Sequence, residues 1–232
     1  SAPARTSMTR MVQGGPQVIP GALERYRETW GVDFQALVVQ SRVEGFRSNT
    51  SGVPPAAAPI LEGERPAELA DAWQASLHFG HAQGHVCLHL REPALLLSGD
   101  QLLPTISSNI SLYPGEGSTD PLDDFFTSLT RLEALPEETI VLPAHGQPFR
   151  GVHARVAQLR AEHEDRLAKL VEFAAEPRDA TELAAALFGA RNLEGVNSIL
   201  AHGETLAHIQ YLQKRGGLVR VVDGERVRWK RP

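Results

Sequence analysis

The sequence predicts an α/β chain that ends in a helix–helix–hairpin module. Two observations carry this. Short apolar runs of strand length, Val86–Leu90, Ala94–Leu97 and Ile140–Leu142, alternate with helical segments in the first three quarters of the chain. After Pro177 the order changes to a short helix, a longer helix and two strands around Asp223-Gly224-Glu225, which is the order of a winged helix-turn-helix. The expected division is therefore an α/β unit over 1–176 and a winged-helix unit over 177–232.

Each element has a local reason. Pro20 precedes Ala22–Arg27, a first helix. Asp33 is placed to cap a second, running to about Phe46. Residues 1–20 and 48–59, rich in Gly, Pro and small residues, read as irregular. Trp73, Ala75, Leu77 and Phe79 alternate with more polar residues, the period of a strand. Arg91-Glu92-Pro93 separates the next two strands as a turn, and 101–120 reads as a long loop. Asp120-Pro121 opens a helix to about Leu135, with proline at the first helical position. Ile140–Leu142 stops at Pro143-Ala144-His145-Gly146. An amphipathic helix over about Val152–Ala174 buries Val156, Leu159, Leu167 and Leu170. Asp179 caps the helix Thr181–Phe188, and Asn197–Arg215 forms the longer one.

Composition sets the class. With 42% hydrophobic and 22% charged residues in 232, the chain is an ordinary globular one, not a disordered or coiled-coil chain. It holds no apolar run of the roughly 18 residues that a membrane helix needs, so no membrane partner is expected. A basic stretch followed by an apolar leader is absent, and the lone Cys87 is compatible with a reducing compartment, so the expected location is the cytoplasm. Cys87 lies within an apolar strand and is expected to be a buried thiol rather than a nucleophile. The net charge of −5 argues against a uniformly basic nucleic-acid coat.

Histidine carries the chemistry. His78, His81, His85 and His89 follow one another at spacings of three, four and four. Gly80 and Gly84 oppose a helix there and favour a loop between strands. Asp100 follows the strand of Ala94–Leu97, and His145 follows that of Ile140–Leu142. Two strand ends that each carry a ligand-type residue occupy the edge where open sheets build sites. Imidazole and carboxylate together suit zinc, iron or manganese. A Gly-x-Ser-x-Gly nucleophile elbow, a Walker loop, a Gly-x-Gly-x-x-Gly after a strand and a His-Glu-x-x-His helix are all absent. The remaining histidines, His153, His163, His202 and His208, read as helix-surface residues. The chain end is basic, and Arg226, Arg228 and Lys230 are its candidate nucleic-acid contacts, against a plain packing or dimerisation role.

Gly80-His81-Ala82-Gln83-Gly84-His85, Leu97-Ser98-Gly99-Asp100 and Leu142-Pro143-Ala144-His145-Gly146 resemble, in order and spacing, the later motifs of the metallo-β-lactamase-fold hydrolases. The tail resembles the winged helix carried by the branch that includes glyoxalase II-like hydrolases and a mitochondrial endoribonuclease. The resemblance covers about 60–232. It implies part of an αββα sandwich, zinc with iron or manganese as alternatives, and a metal-bound water attacking a small ester, thioester or phosphodiester. It implies that His85 and His145 are metal ligands, that Asp100 bridges two ions, and that His81 supports from behind without ligating. The family's first motif, His-x-His-x-Asp-His, occurs nowhere in the chain. Residues 1–47 look like the segment that normally follows it. The expectation is therefore the later half to two-thirds of such an enzyme, with impaired activity. Truncation, loss from the gene and supply by a second chain each account for the missing part. Half a sandwich exposes an apolar sheet face, which makes a homodimer a candidate arrangement. The competing reading is a non-catalytic nucleic-acid-binding or dimerisation protein acting through the winged helix.

Overall fold

The computed structural model describes residues 21–40, 59–66, 69, 72–115 and 120–232. The readings of 1–20 and 48–58 as loop, and of the second helix beyond Gln40, lie outside these residues.

Four strands form one sheet in chain order: β1 (Trp73–His78), β2 (His85–Leu90), β3 (Leu95–Gly99) and β4 (Ile140–Pro143). The β1–β2 and β2–β3 pairs are antiparallel and joined by short turns. β3 and β4 are parallel, so their connection must cross over the sheet. That crossover contains the loop after Asp100 and the helix α3 (Pro121–Leu132), which starts with the Asp120 side chain accepting from the Asp123 N–H at 3.4 Å.

The pairing register separates two faces. Cys87, Leu96, Ser98 and Val141 share one face and are fully buried. They join Phe125, Leu129 and Leu132 of α3, and Val152, Val156 and Leu159 of α4 (Val152–Phe173), in the core. Burial pushes the Cys87 thiol up to about 12, so it is an inert packing group. On the opposite face Leu77, Val86, Leu88, Leu95, Leu97, Ile140 and Leu142 are only partly covered, Leu97 being 37% exposed. Among the described residues the core helices α3 and α4 pack on the first face, and a sheet apolar on both sides then has a second face available to another layer.

Near the start of the described chain lie α1 (Ala22–Trp30) and α2 (Phe34–Gln40), the latter capped by Asp33 Oδ1 accepting from the Ala36 N–H at 2.9 Å. The last third holds α5 (Ala180–Phe188), a 3₁₀ turn Ala190–Asn192, α6 (Gly195–Lys214) and the antiparallel hairpin β5 (Val219–Asp223) and β6 (Arg226–Lys230). Asp179 and Glu182 form a reciprocal capping box at the start of α5. Every residue of α6 from Ala201 to Ile209 is buried, so this helix lies inside the molecule and shows no clean polar face. α1 folds back on the hairpin. Trp30 stacks on Trp229 with ring centroids 6.0 Å apart, and Arg220 Nε donates to the Thr29 carbonyl at 3.0 Å. No helix among the described residues is long and apolar enough to cross a membrane.

Candidate metal centre

Three segments at the ends of strands converge. Gly80 and His81 lie in the β1–β2 turn, Asp100 follows β3, and His145 follows β4. The Ala144 N–H donates to the Gly99 carbonyl at 3.0 Å, which ties the last two ends together. Asp100 sits at the centre. Its Oδ2 lies 3.7 Å from His81 Nε2, and its Oδ1 lies 3.4 Å from His145 Nε2. Oδ1 is buried and has no hydrogen-bond donor.

The two histidines of the turn have different surroundings. His81 Nδ1 is 2.9 Å from the Asn109 carbonyl. A carbonyl only accepts, so Nδ1 carries the proton, and Nε2 is the ring nitrogen on the Asp100 side. His85 Nε2 instead accepts from the Asp100 backbone N–H at 3.0 Å. Its ring packs against the chain at Gly99, where φ is +54° and a Cβ would come within 2.6 Å of His85 Cε1. Burial, reinforced by His81, holds the His85 imidazole below its ordinary range. The geometry thus turns His81 and His145 toward the Asp100 carboxylate and engages His85 with the Asp100 backbone.

These donors suit a divalent cation. Two imidazole nitrogens flank a carboxylate whose buried Oδ1 lacks a donor, and a shared metal ion would satisfy all of them. They do not close a shell by themselves. Among the described residues the one trio with ligand atoms all within 4.8 Å of one another is elsewhere: His163, Glu204 and His208.

That second cluster corrects the reading of the outlying histidines. His163, His202 and His208 are not on the surface: they are 0%, 4% and 0% exposed. His163 Nδ1 lies 3.0 Å from His208 Nε2, and His208 Nδ1 donates to the Glu204 carbonyl at 2.7 Å. Arg166 Nη1 lies 3.2 Å from Glu204 Oε1 and 3.4 Å from His163 Nδ1. The guanidinium already supplies the cation that this trio would otherwise need, so the cluster reads as structural. Only His153 behaves as expected, half-exposed and paired with Glu137 at 2.6 Å.

The cluster predicts acid sensitivity. Burial, with His208 and Arg166 adding to it, pushes His163 down to about 2, and burial takes His208 down to about 4. Burial and Arg131 take His78 to about 4, while burial raises Glu204 to about 7. For the imidazoles the unfolded chain takes up protons first as pH falls below about 6.5, so stability is lost toward pH 4. For Glu204 the folded chain takes up its proton first, between about 7 and 4.5, which acts in the opposite sense. Three imidazoles against one carboxyl leave about two net protons on the unfolded chain. Near pH 5.5 stability should therefore fall by roughly 2–3 kcal/mol per pH unit. Urea unfolding should show a clearly lower midpoint at pH 5 than at pH 7.5. An equal or higher midpoint at pH 5 would contradict this balance.

Arg226, Arg228 and Lys230 share the outward face of β6, since Val227 and Trp229 point inward. The patch is not purely basic. Asp223 pairs in register with Arg226, and the Glu182 carboxyl, held low chiefly by the Asp179 backbone N–H, also feels Arg228.

Residues 167–232 match the family model described as the metallo-β-lactamase-like C-terminal domain. The chain is 30% identical to a metallo-β-lactamase family protein of known structure from Thermus thermophilus, with a TM-score of 0.78 over 97% of this chain and 68% of that one. A β-lactamase domain protein from Burkholderia ambifaria is 33% identical, with a TM-score of 0.76 over 87% of this chain and 60% of that one. Among curated relatives, the probable metallo-hydrolase YqjP of Bacillus subtilis (strain 168) is 29% identical over 164 residues, covering 69% of this chain and 50% of that protein. A hydroxyacylglutathione hydrolase of Rhodobacter capsulatus is 31% identical over 115 residues, covering 50% of this chain and 42% of that protein. The chain thus spans about half the length of the curated relatives it matches.

Proposed function

The chain belongs to the metallo-β-lactamase family, and on that premise we propose that it contributes one half of a metal-dependent hydrolase site acting on a small ester or thioester. The observation that carries this reading is Asp100, a carboxylate with its two oxygens turned to two different imidazoles and a buried Oδ1 without a donor. His81, Asp100 and His145 would hold the metal. His85 would orient Asp100 by accepting its backbone N–H. This exchanges the roles of His81 and His85 relative to the sequence-based expectation, and the reason is which ring nitrogen is engaged. A bound divalent ion, zinc or alternatively iron or manganese, would supply an activated water and stabilise negative charge in the transition state. The names of relatives that are hydroxyacylglutathione hydrolases favour a small acyl thioester and a place in the glyoxalase II-like branch. The element order of residues 177–232 supports reading them as a winged helix that follows a metallo-β-lactamase-like unit assigned to 1–176.

The partly covered sheet face and the absence of a His-x-His-x-Asp-His motif favour a site completed from outside these 232 residues. The chain alone should be impaired. Purified without chelators and offered zinc, manganese or ferrous iron, it should take up about one weakly held ion. It should cleave S-acyl glutathione at well under ~1 s⁻¹, the low end of ordinary turnover. No uptake of any of the three at millimolar concentration would remove the half-site. Turnover at ~10 s⁻¹ or above by the chain alone would remove the impairment.

A further inference from the structure

Asn109, in the loop between Asp100 and α3, joins the centre to α6. Its carbonyl accepts from His81 Nδ1 at 2.9 Å. Its side-chain Nδ2 donates to Glu204 Oε2 at 3.1 Å and to the Leu200 carbonyl at 3.3 Å, both on α6. Its Oδ1 accepts from the Ser111 and Tyr113 hydroxyls. The same loop is fixed on either side of Asn109. Ser107 Oγ lies 3.1 Å from His163 Nε2, and the Leu112 N–H donates to the Gly203 carbonyl at 3.0 Å. Glu204 is itself clamped from behind by Arg166 at 3.2 Å.

We propose that Asn109 and Glu204 are positioning residues for His81: Glu204 holds the Asn109 amide, and Asn109 offers its carbonyl to Nδ1–H, so that Nε2 faces Asp100 with a lone pair. The inference rests on the reading of His81 as a metal ligand. Its physical basis is that an unrestrained imidazole exchanges its proton between two nitrogens and turns about its side-chain bonds. One acceptor-only partner at Nδ1 removes both freedoms. The chain supplies that acceptor from a loop, and a loop carbonyl is only as fixed as its anchors. Asn suits the task because its amide can donate twice into α6 while its oxygen takes two hydroxyls. Glu204 meets it with one carboxyl oxygen, Oε2, while Arg166 holds the other, Oε1. A carboxylate at 7% exposure is costly in a purely structural helix, and its raised pKa of about 7 reflects that cost. The last helix therefore acts on the centre without touching it.

The test uses the full chain, with nitrogen-15 imidazole spectra for the tautomer and chelator competition for zinc affinity. In the unsubstituted chain His81 should report Nδ1–H. Asn109→Asp, nearly isosteric but with no amide donor for Glu204, and Glu204→Ala should both give an averaged His81 tautomer. Both should weaken zinc by about 10–100-fold. Glu204→Gln keeps an acceptor for the amide and should restore the single tautomer. Ser107→Ala, which cuts a different anchor of the same loop, should leave the tautomer unchanged. If Glu204→Ala does not fold, Asn109→Asp carries the same expectation. An unchanged Nδ1–H tautomer in folded Asn109→Asp and Glu204→Ala overturns the proposal, whatever the zinc result. If His81→Ala leaves zinc affinity intact, the ligand reading of His81 fails, and the tautomer spectra still decide the positioning role.

Discussion

Replacing Asp100 with Asn should abolish metal uptake by the chain while leaving its thermal stability unchanged or slightly raised. Loss of a supporting partner typically weakens metal binding by about 10–100-fold, so loss of the central carboxylate should exceed about 100-fold. The stability side follows from burial. Oδ1 is enclosed without a donor, and leaving a charged acceptor in that condition costs more than the ~1–3 kcal/mol of a neutral one. An amide of the same shape lowers that cost and keeps the backbone N–H that His85 accepts at 3.0 Å. Function lost with stability retained is what a site held together for its ligand should show. Chelator competition and a melting curve on the metal-free chain check both halves. Unchanged affinity would remove the proposed centre. A loss of stability above about 1 kcal/mol would instead make Asp100 a structural ion-pair partner of His81 and His145.

The elements that carry local signals were legible, and the site was legible only in outline. Asp33, Asp120 and Asp179 cap the helices their positions predict, and the strand runs fall within a residue or two of β2, β3 and β4. Those signals lie within a few residues of the structure they specify. The meeting of Asp100 and His145 was also foreseeable, because strand ends of one sheet must lie side by side, with His85 as the expected third ligand. Which histidine of the turn faces the carboxylate was not. That depends on the Asn109 carbonyl and the Asp100 backbone N–H, partners 28 and 15 residues away. The buried histidines failed for a related reason. α6 is enclosed on nearly all sides, so His202, Glu204 and His208 break any apolar period without marking a surface. Glu204 and His208 find partners on the 107–113 loop and α4, and His202 meets Thr181 of α5, so no local pattern in α6 announces them.

Replacing Gly80 with Ala should be far more damaging than its size suggests. The residue sits at φ +105°, a conformation that side chains disfavour. An added Cβ would lie 2.5 Å from the Phe125 Cβ, 2.7 Å from its Cα and 2.8 Å from its N. Two of those three atoms are helix backbone and cannot rotate away. The turn cannot lift either. The Phe79 N–H donates to Ser128 Oγ at 2.8 Å, and the Ser128 hydroxyl donates back to the Phe79 carbonyl at 3.1 Å, one turn along the same helix. Phe125 itself is fully buried, so shifting α3 would disturb the core. The backbone conformation costs roughly 1–2 kcal/mol and the overpacking roughly 1–3 more, so about 2–5 kcal/mol in all. For a chain of this size that lowers the melting temperature by about 4–20 °C. Gly224→Ala is the comparison: its φ of +59° carries the conformational cost, but nothing lies within 4 Å of the added Cβ. Because His81 is the next residue, Gly80→Ala should also weaken zinc binding in whatever fraction stays folded, whereas Gly224→Ala should not. Equal melting losses for the two variants would mean that the β1–β2 turn is not wedged against α3, and the placement of His81 would then need another cause.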